Sequence, residues 1–102
     1  MTNAWKKNFV NVPNLKWRAR ARNEFHALIT YIAADNPDAA QELRDEIMVK
    51  VGLLPHRPRM YRSGRLPGTR EMVVRSNYIV VYTETSETVT VLRVLHVSLK
   101  WP

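Results

Sequence analysis

The spacing of apolar residues changes once along this chain, near Pro67-Gly68, and the change favours an α+β fold. Before it, apolar residues recur every three or four positions over two stretches, about 18–34 and 37–54, which is typical of amphipathic helices. After it, apolar and polar residues alternate and β-branched residues dominate, as in strands of a sheet with one covered face. The sequence therefore predicts a helical pair followed by a run of strands.

The two predicted helices are joined by a tight break at Asp35-Asn36-Pro37. Asn36 is a favourable N-cap, and Pro37 at the first helical position loses no hydrogen bond, because its nitrogen would have no partner there. Such a short connection predicts an antiparallel helical hairpin. Each helix carries one apolar stripe, formed by Ala21, Phe25, Leu28, Ile29 and Ile32 in the first and by Ala40, Leu43, Ile47, Val51 and Leu54 in the second.

Strands are predicted on both sides of the helical pair, at Leu15–Trp17 before it and at Thr69–Val74, Tyr78–Glu84 and Val89–Leu95 after it. The last three are joined by short connections, so they should form an antiparallel meander. The predicted order is β-α-α-β-β-β, with the helical hairpin packed on one face of an antiparallel sheet. A loop is expected from Pro55 to Gly68. The residues expected to face the helices are Val73, Val80 or Val81, Val91 and Leu95.

The 102 residues have room for one domain, 1–102, in which Met1–Pro13 is expected to be an N-terminal arm because it shows no periodicity. The chain has no cysteine, which excludes disulfides and thiolate sites and fits the reducing cytoplasm. No apolar run approaches the ~20 residues of a membrane span. Sixteen Lys and Arg residues against nine Asp and Glu residues give a net charge of +7, which favours a polyanion or an acidic protein as partner.

No group of residues in the sequence has the spacing of a known metal or cofactor site. The three histidines, His26, His56 and His96, are isolated in sequence, so no metal site is predicted. The chain has no Gly-x-Ser-x-Gly motif and no glycine-rich phosphate loop, so neither a serine nucleophile of that kind nor a bound cofactor is predicted.

The chemistry that remains is cationic and aromatic and lies on the predicted meander. If the chain were a ribonuclease, Arg70 and Arg93 could stabilise the charge of the phosphorane while His96 or Tyr82 moved protons. Each residue also has a structural interpretation: Tyr82 can fill the edge of the core, and Arg93 can pair with a carboxylate such as Glu71. The residues alone leave both interpretations open.

Five segments, in order, resemble the ParE/RelE superfamily of bacterial toxins. The run from Trp17 to Ala33 resembles the first helix of that superfamily, and Asp35-Asn36-Pro37 followed by Ala39-Ala40 resembles its inter-helix break. The other similar segments are Arg65–Val74, Tyr78–Tyr82 and Leu92–His96, with a terminal Trp101-Pro102. The resemblance covers about 15–102 and is closer to the ParE branch, because the Pro67–Glu71 and Arg93–His96 segments with the terminal Trp101-Pro102 are similar to those of ParE-like members. Ile79 stands where RelE-type members usually have a basic residue, which counts against cleavage on the ribosome.

This resemblance implies the toxin of a type II toxin–antitoxin system. In the ParE branch the free toxin poisons DNA gyrase without an active site of its own, and an acidic antitoxin, expected from an adjacent gene, neutralises it in a hetero-oligomer. On this hypothesis the residues expected to bind the target are Arg70, Arg93, His96, Lys100 and Trp101. The residues expected to bind the antitoxin are Phe25, Leu28, Ile32, Leu43 and Ile47.

Two alternatives stay open at this point. The first is a RelE-like endonuclease that cuts messenger RNA on the ribosome, for which the candidate catalytic residues are Arg70, Tyr82, Arg93 and His96. The second is a non-toxic module whose only partner is the antitoxin.

Overall fold

The computed structural model describes residues 13–101, so Met1–Val12, most of the predicted arm, and Pro102 lie outside the described residues. Two α-helices and five strands follow one another in the order β-α-α-β-β-β-β. The helices are α1 at Ala19–Asp35 and α2 at Pro37–Leu53, and a 3-10 turn at Leu54–His56 follows α2. The strands are β1 at Asn14–Trp17, β2 at Arg62–Ser63, β3 at Thr69–Val74, β4 at Tyr78–Glu84 and β5 at Thr88–His96.

All five strands form one sheet in the order β1-β5-β4-β3-β2. β3, β4 and β5 form the predicted antiparallel meander, and the short β2 pairs antiparallel with β3. β1 pairs parallel with β5, which is sterically possible because the helical hairpin lies between them in the chain and provides the long connection that parallel neighbours need. The α+β prediction is confirmed, with a sheet that is mixed rather than wholly antiparallel.

The helical hairpin begins and turns where its sequence signals predict. The Asn36 Oδ1 accepts a hydrogen bond from the Ala39 N–H at 3.1 Å, which satisfies one of the unpaired donors at the start of α2. Asp38 lies in the first turn of α2, where its charge is favoured by the helix dipole. Within residues 13–101, neither helix combines the length and the apolar character needed to cross a membrane.

The hairpin packs on one face of the sheet, which we call the covered face; the opposite face is the open face. The core between the hairpin and the sheet contains Ala21, Leu43, Ile47, Val51 and Leu54 with Met72, Val74, Val80, Tyr82, Val89, Val91 and Val94. A smaller cluster, formed by Ile79, Val81 and Leu95, is buried on the open face. The helices therefore cover only one of the two apolar surfaces of the sheet.

Two residues predicted to face the helices, Val73 and Leu95, lie on the open face instead. A β-bulge leaves one extra residue, Leu92, between Val91 and Arg93. Because a bulge shifts the alternation of side chains by one position, the covered face receives Val91 and then Val94 rather than Leu95.

In β3 the apolar run Met72-Val73-Val74 gives no alternation from which its buried positions could be read. Met72 and Val74 lie in the core, and Val73 between them is exposed. The prediction of Val80 or Val81 resolves in favour of Val80, which lies under the helices.

The predicted loop contains one strand that the sequence analysis missed. β2 ends at Ser63, and the next residue, Gly64, donates its N–H to the Thr69 carbonyl at 2.7 Å. Gly64 packs so closely on the Thr69 side chain that a Cβ at this position would collide with it. A two-residue strand is too short to show a period, and for that reason its sequence resembles the surrounding loop.

Candidate functional site

Four residues on neighbouring strands form a row across the open face. Arg93 on β5, Val81 on β4, Glu71 on β3 and Arg62 on β2 are successive cross-strand partners. Direct partners in a sheet point to the same side, so two arginines flank a valine and a carboxylate. Trp101, the last described residue, folds back onto this row.

Glu71 is the buried charge of the open face, with a side chain that is 2% exposed. Its carboxylate accepts hydrogen bonds from the Arg65 backbone N–H at 3.0 Å, from the Trp101 indole Nε1–H at 3.1 Å and from Arg62 Nη2 at 3.1 Å. Burial alone would raise the pKa of Glu71, but these donors favour the ionised form and together hold the pKa below its ordinary value. The charged carboxylate thus joins β3 to the loop before it and to the C-terminal segment.

Trp101 is held from three sides besides its bond to Glu71. Arg65 Nη1 donates to the Trp101 carbonyl oxygen at 2.9 Å. The Arg93 guanidinium carbon lies 5.2 Å from the centroid of the indole ring, which is within cation–π range. The ring also packs on the apolar cluster of the open face. The C-terminal segment is therefore a part of this face and not a free tail.

Arg93 also connects the sheet to α1. Its Nε and Nη2 donate to Glu24 Oε2 at 2.9 and 2.7 Å, and Glu24 Oε1 accepts the Val94 backbone N–H at 3.0 Å. β1 pairs with β5 only as far as Val91, so Glu24 satisfies an edge donor that β1 does not reach. The interpretation in which Arg93 pairs with a carboxylate is confirmed, but the partner is Glu24 and not Glu71, because Val81 separates Glu71 from Arg93 in the row.

Arg70 and Tyr82 lie on the covered face as direct partners on β3 and β4. Tyr82 is completely buried, and its hydroxyl donates to the Pro58 carbonyl at 2.6 Å. Burial raises the pKa of Tyr82 to about 12. Arg70 Nη1 donates to the Tyr61 carbonyl at 2.8 Å, and its Nε lies 3.6 Å from Glu84 Oε1. Both side chains fasten the loop after α2 to the sheet.

His96 and Lys100 are exposed, at the far end of β5 and beyond it. His96 Nδ1 lies 2.7 Å from Ser98 Oγ, and its ring makes an edge-on contact with Tyr78, with 5.6 Å between ring centroids. Tyr78, its partner on β4, is four residues from Tyr82, a distance of about 14 Å along a strand. His96 therefore lies well away from the Arg70–Tyr82 pair.

The four candidate ribonuclease residues are thus not brought together. Arg93 lies on the open face, Arg70 and Tyr82 lie on the covered face, and His96 lies at the end of the strand. Among residues 13–101, no three histidine or carboxylate side chains are grouped as a metal ion would require. Of the predicted target-binding residues, the structure joins Arg93 and Trp101.

The residues predicted to bind the antitoxin divide into two groups. Phe25, Leu28 and Ile32 are partly buried on α1 and pack against the core. Leu43 and Ile47 are buried within it and have no surface to offer another protein. Placing these two on a binding surface is wrong, because the stripe of α2 to which they belong faces the sheet.

Comparison with known proteins identifies the family to which this fold and site belong. The family model described as "ParE toxin of type II toxin-antitoxin system, parDE" matches residues 15–101. The chain belongs to the ParE toxin family. This confirms the resemblance to the ParE branch, and the match includes every residue of the open-face row and Trp101.

A curated relative and a solved structure agree with the ParE assignment. "Putative toxin Y4kP" of Sinorhizobium fredii is 32% identical over 88 residues, which cover 86% of this chain and 92% of that protein. A structure titled "Chromosomal ParDE TA system from P. aeruginosa" has a TM-score of 0.76 at 17% identity and covers 86% of this chain and 99% of its own. At that identity the solved structure shows that the ParE fold is shared.

The sequence analysis of this ParE-family chain missed the roles of Glu24, Arg62 and Arg65, and it assigned Glu71 the wrong partner. One signal could have pointed to Glu71: it is the only acidic residue between Arg57 and Arg75, a stretch with six arginines. A lone carboxylate among so many cations is a natural acceptor for several of them. No comparable signal marks Glu24, because its partner Arg93 is 69 residues away.

Proposed function

We propose that this ParE-family chain is a toxin that acts in the cytoplasm by binding and inhibiting DNA gyrase. The observation that carries the proposal is the separation of the candidate catalytic residues onto two faces of the sheet and one strand end. Such a chain is suited to binding, and its target enzyme supplies the chemistry. The net charge of +7 would steer it to an acidic target surface.

The open face is the proposed target-binding surface. It carries Arg62, Arg65 and Arg93 around Trp101, with an exposed apolar side chain at Val73. Arginine and tryptophan are the residue types most enriched among those that dominate binding energy in protein interfaces. Lys100 belongs to the same segment as Trp101, whereas Arg70 and His96 lie on other parts of the sheet and are not included in this surface.

The second proposal concerns the partner that neutralises the toxin. We propose that an acidic antitoxin, encoded beside this chain, binds it in a hetero-oligomer. The P. aeruginosa relative of known structure is described as part of a "ParDE TA system", and the charge of this chain favours an acidic partner. A basic neighbouring gene product would contradict this proposal and leave the gyrase proposal in place.

Induced expression in a laboratory bacterial strain distinguishes the proposed target from the alternatives. Gyrase inhibition is expected to produce filamentous cells and induction of a DNA-damage reporter before protein synthesis falls. A ribosome-dependent nuclease would stop translation abruptly and leave cuts at codon positions in primer-extension profiles. Growth without arrest, at confirmed expression of folded protein, would support the non-toxic module and contradict the proposal.

The Tyr82→Phe variant tests whether a buried hydroxyl takes part in the activity. Loss of the hydrogen bond to Pro58 is expected to lower the free energy of unfolding by about 1 kcal/mol, measured by urea unfolding. Toxicity in the expression assay is expected to stay at the wild-type level, because the hydroxyl is structural. Abolished toxicity with little change in stability would instead support the nuclease.

A further inference from the structure

A cleft opens at the C-terminal end of α2, away from the open face. It has a volume of about 250 Å³ and lies between the last turns of α2, the 3-10 turn and the loop that follows. The lining residues are Lys50, Leu53, Leu54, His56, Arg57, Met60 and Tyr61. Its floor is formed by Leu54, which is buried in the core, and by Tyr61, which packs against the core.

The two walls of the cleft are apolar side chains that folding does not bury. Leu53 is 58% exposed and Met60 is 57% exposed. One turn before Leu53 on α2, Val49 is also exposed, so the apolar surface extends along the helix. Contiguous apolar surface of this kind is characteristic of a protein-binding site.

The rim of the cleft is cationic. Lys50 pairs with Glu46 at 3.1 Å. Among residues 13–101, no carboxylate oxygen lies within 4.0 Å of the Arg57 guanidinium nitrogens. His56 lies beside Arg57. A second copy of the chain would bring the same cations to the same place, so the charge favours a partner of opposite sign.

We propose that this cleft anchors an acidic amphipathic helix of the antitoxin. One or two apolar side chains of that helix fill the space between Leu53 and Met60, and flanking carboxylates meet Arg57 and Lys50. A helix bound in a groove can make both the apolar contact and the ion pairs, because it has apolar anchors on one face and charged side chains beside them. This inference rests on the antitoxin partnership proposed above and assigns it a surface.

The direct test is titration of the isotope-labelled chain with a synthetic acidic helix of about 16 residues, followed by NMR. The peptide carries leucine at positions i, i+3, i+4 and i+7 and glutamate on the flanks, and a peptide of the same composition with dispersed leucines is the control. Shifts confined to the residues around Leu53, Arg57 and Met60, with the ordered peptide alone, are expected. Shifts elsewhere, or equal shifts with the dispersed peptide, would overturn the proposal.

Matched variants then test whether the cleft contributes to the affinity for the antitoxin itself. Leu53→Glu and Met60→Glu change exposed residues and should fold normally, and each is expected to weaken antitoxin binding about 30-fold, as loss of a central anchor does. Met48→Glu is the control: it is an exposed apolar residue on the same helix, about 140° around the axis from Leu53, and it should change the affinity less than about threefold.

The outcomes separate this inference from the proposal on which it rests. Equal losses in Met48→Glu and Leu53→Glu, or no loss in either, would overturn the cleft as anchor. A wild-type dimer that Leu53→Glu dissociates would assign the cleft to a second copy and would also overturn it. If the neighbouring acidic protein does not bind the wild-type chain at all, the antitoxin proposal fails, and the peptide titration still decides whether the cleft holds an acidic helix.

Discussion

Replacing Glu71 with alanine is expected to lower the free energy of unfolding by about 3 kcal/mol, which is a large part of the stability of a small domain. The variant leaves the Arg65 backbone N–H and the Trp101 indole N–H without their acceptor, and it removes the partner of Arg62. Urea unfolding followed by circular dichroism measures the loss. Glu87→Ala, which removes an exposed turn carboxylate, is the matched control and should change stability by less than about 0.5 kcal/mol.

The charge of Glu71 can be separated from its shape with Glu71→Gln. Because the pKa of Glu71 is lower in the folded chain than in the unfolded chain, the carboxylate stabilises the fold above the unfolded pKa of about 4.3. That stabilisation is lost as the pH falls through the folded pKa. The stability difference between the wild type and Glu71→Gln should therefore shrink as the pH is lowered below about 4.3; a difference that stays constant with pH would contradict a charged Glu71.

Ile47→Ala is expected to have an effect of similar size, for a different reason. Ile47 is completely buried between the hairpin and the sheet, so truncation leaves a cavity and should cost about 3 kcal/mol. Chemical unfolding measures this loss. Ile47→Val, which is expected to cost about 1 kcal/mol, preserves the fold if the alanine variant does not.

The same position tests the division between core and binding surface. The folded Ile47→Val variant should bind the antitoxin within about threefold of the wild type, because the side chain has no exposed surface, whereas anchors of an interface cost far more. A tenfold loss of affinity at unchanged stability would return Ile47 to the binding surface and contradict the packing described above.

Local signals were sufficient to predict the helices and the longer strands. The apolar stripe of α2, the Asn36 cap and the alternation in β4 each depend on residues close in sequence, and the bounds of these elements agree with the structure to within one or two residues. The same signals do not determine which face of the sheet a residue occupies. One bulge at Leu92 placed Val94 on the covered face instead of the predicted Leu95, because nothing in the local sequence marks Leu92 as the extra residue.

The open-face network was beyond prediction because its members meet only in the folded chain. Glu71 and Trp101 are 30 residues apart, and Arg65 reaches the Trp101 carbonyl over 36. A polar residue on a predicted strand indicates a solvated position, yet Glu71 is buried since several donors converge on it. The motif resemblance located the family correctly, but it could not indicate that the C-terminal tryptophan lies across the sheet.

The central proposal is that this chain inhibits DNA gyrase by binding it, with the chemistry supplied by the target enzyme. Its most direct test is a supercoiling reaction with purified DNA gyrase, relaxed plasmid, ATP and increasing concentrations of the purified chain. We predict loss of supercoiling and accumulation of gyrase-cleaved plasmid, both prevented when the chain is first mixed with its antitoxin. Full supercoiling and no cleaved DNA, with the folded chain in large molar excess over gyrase, would contradict the account.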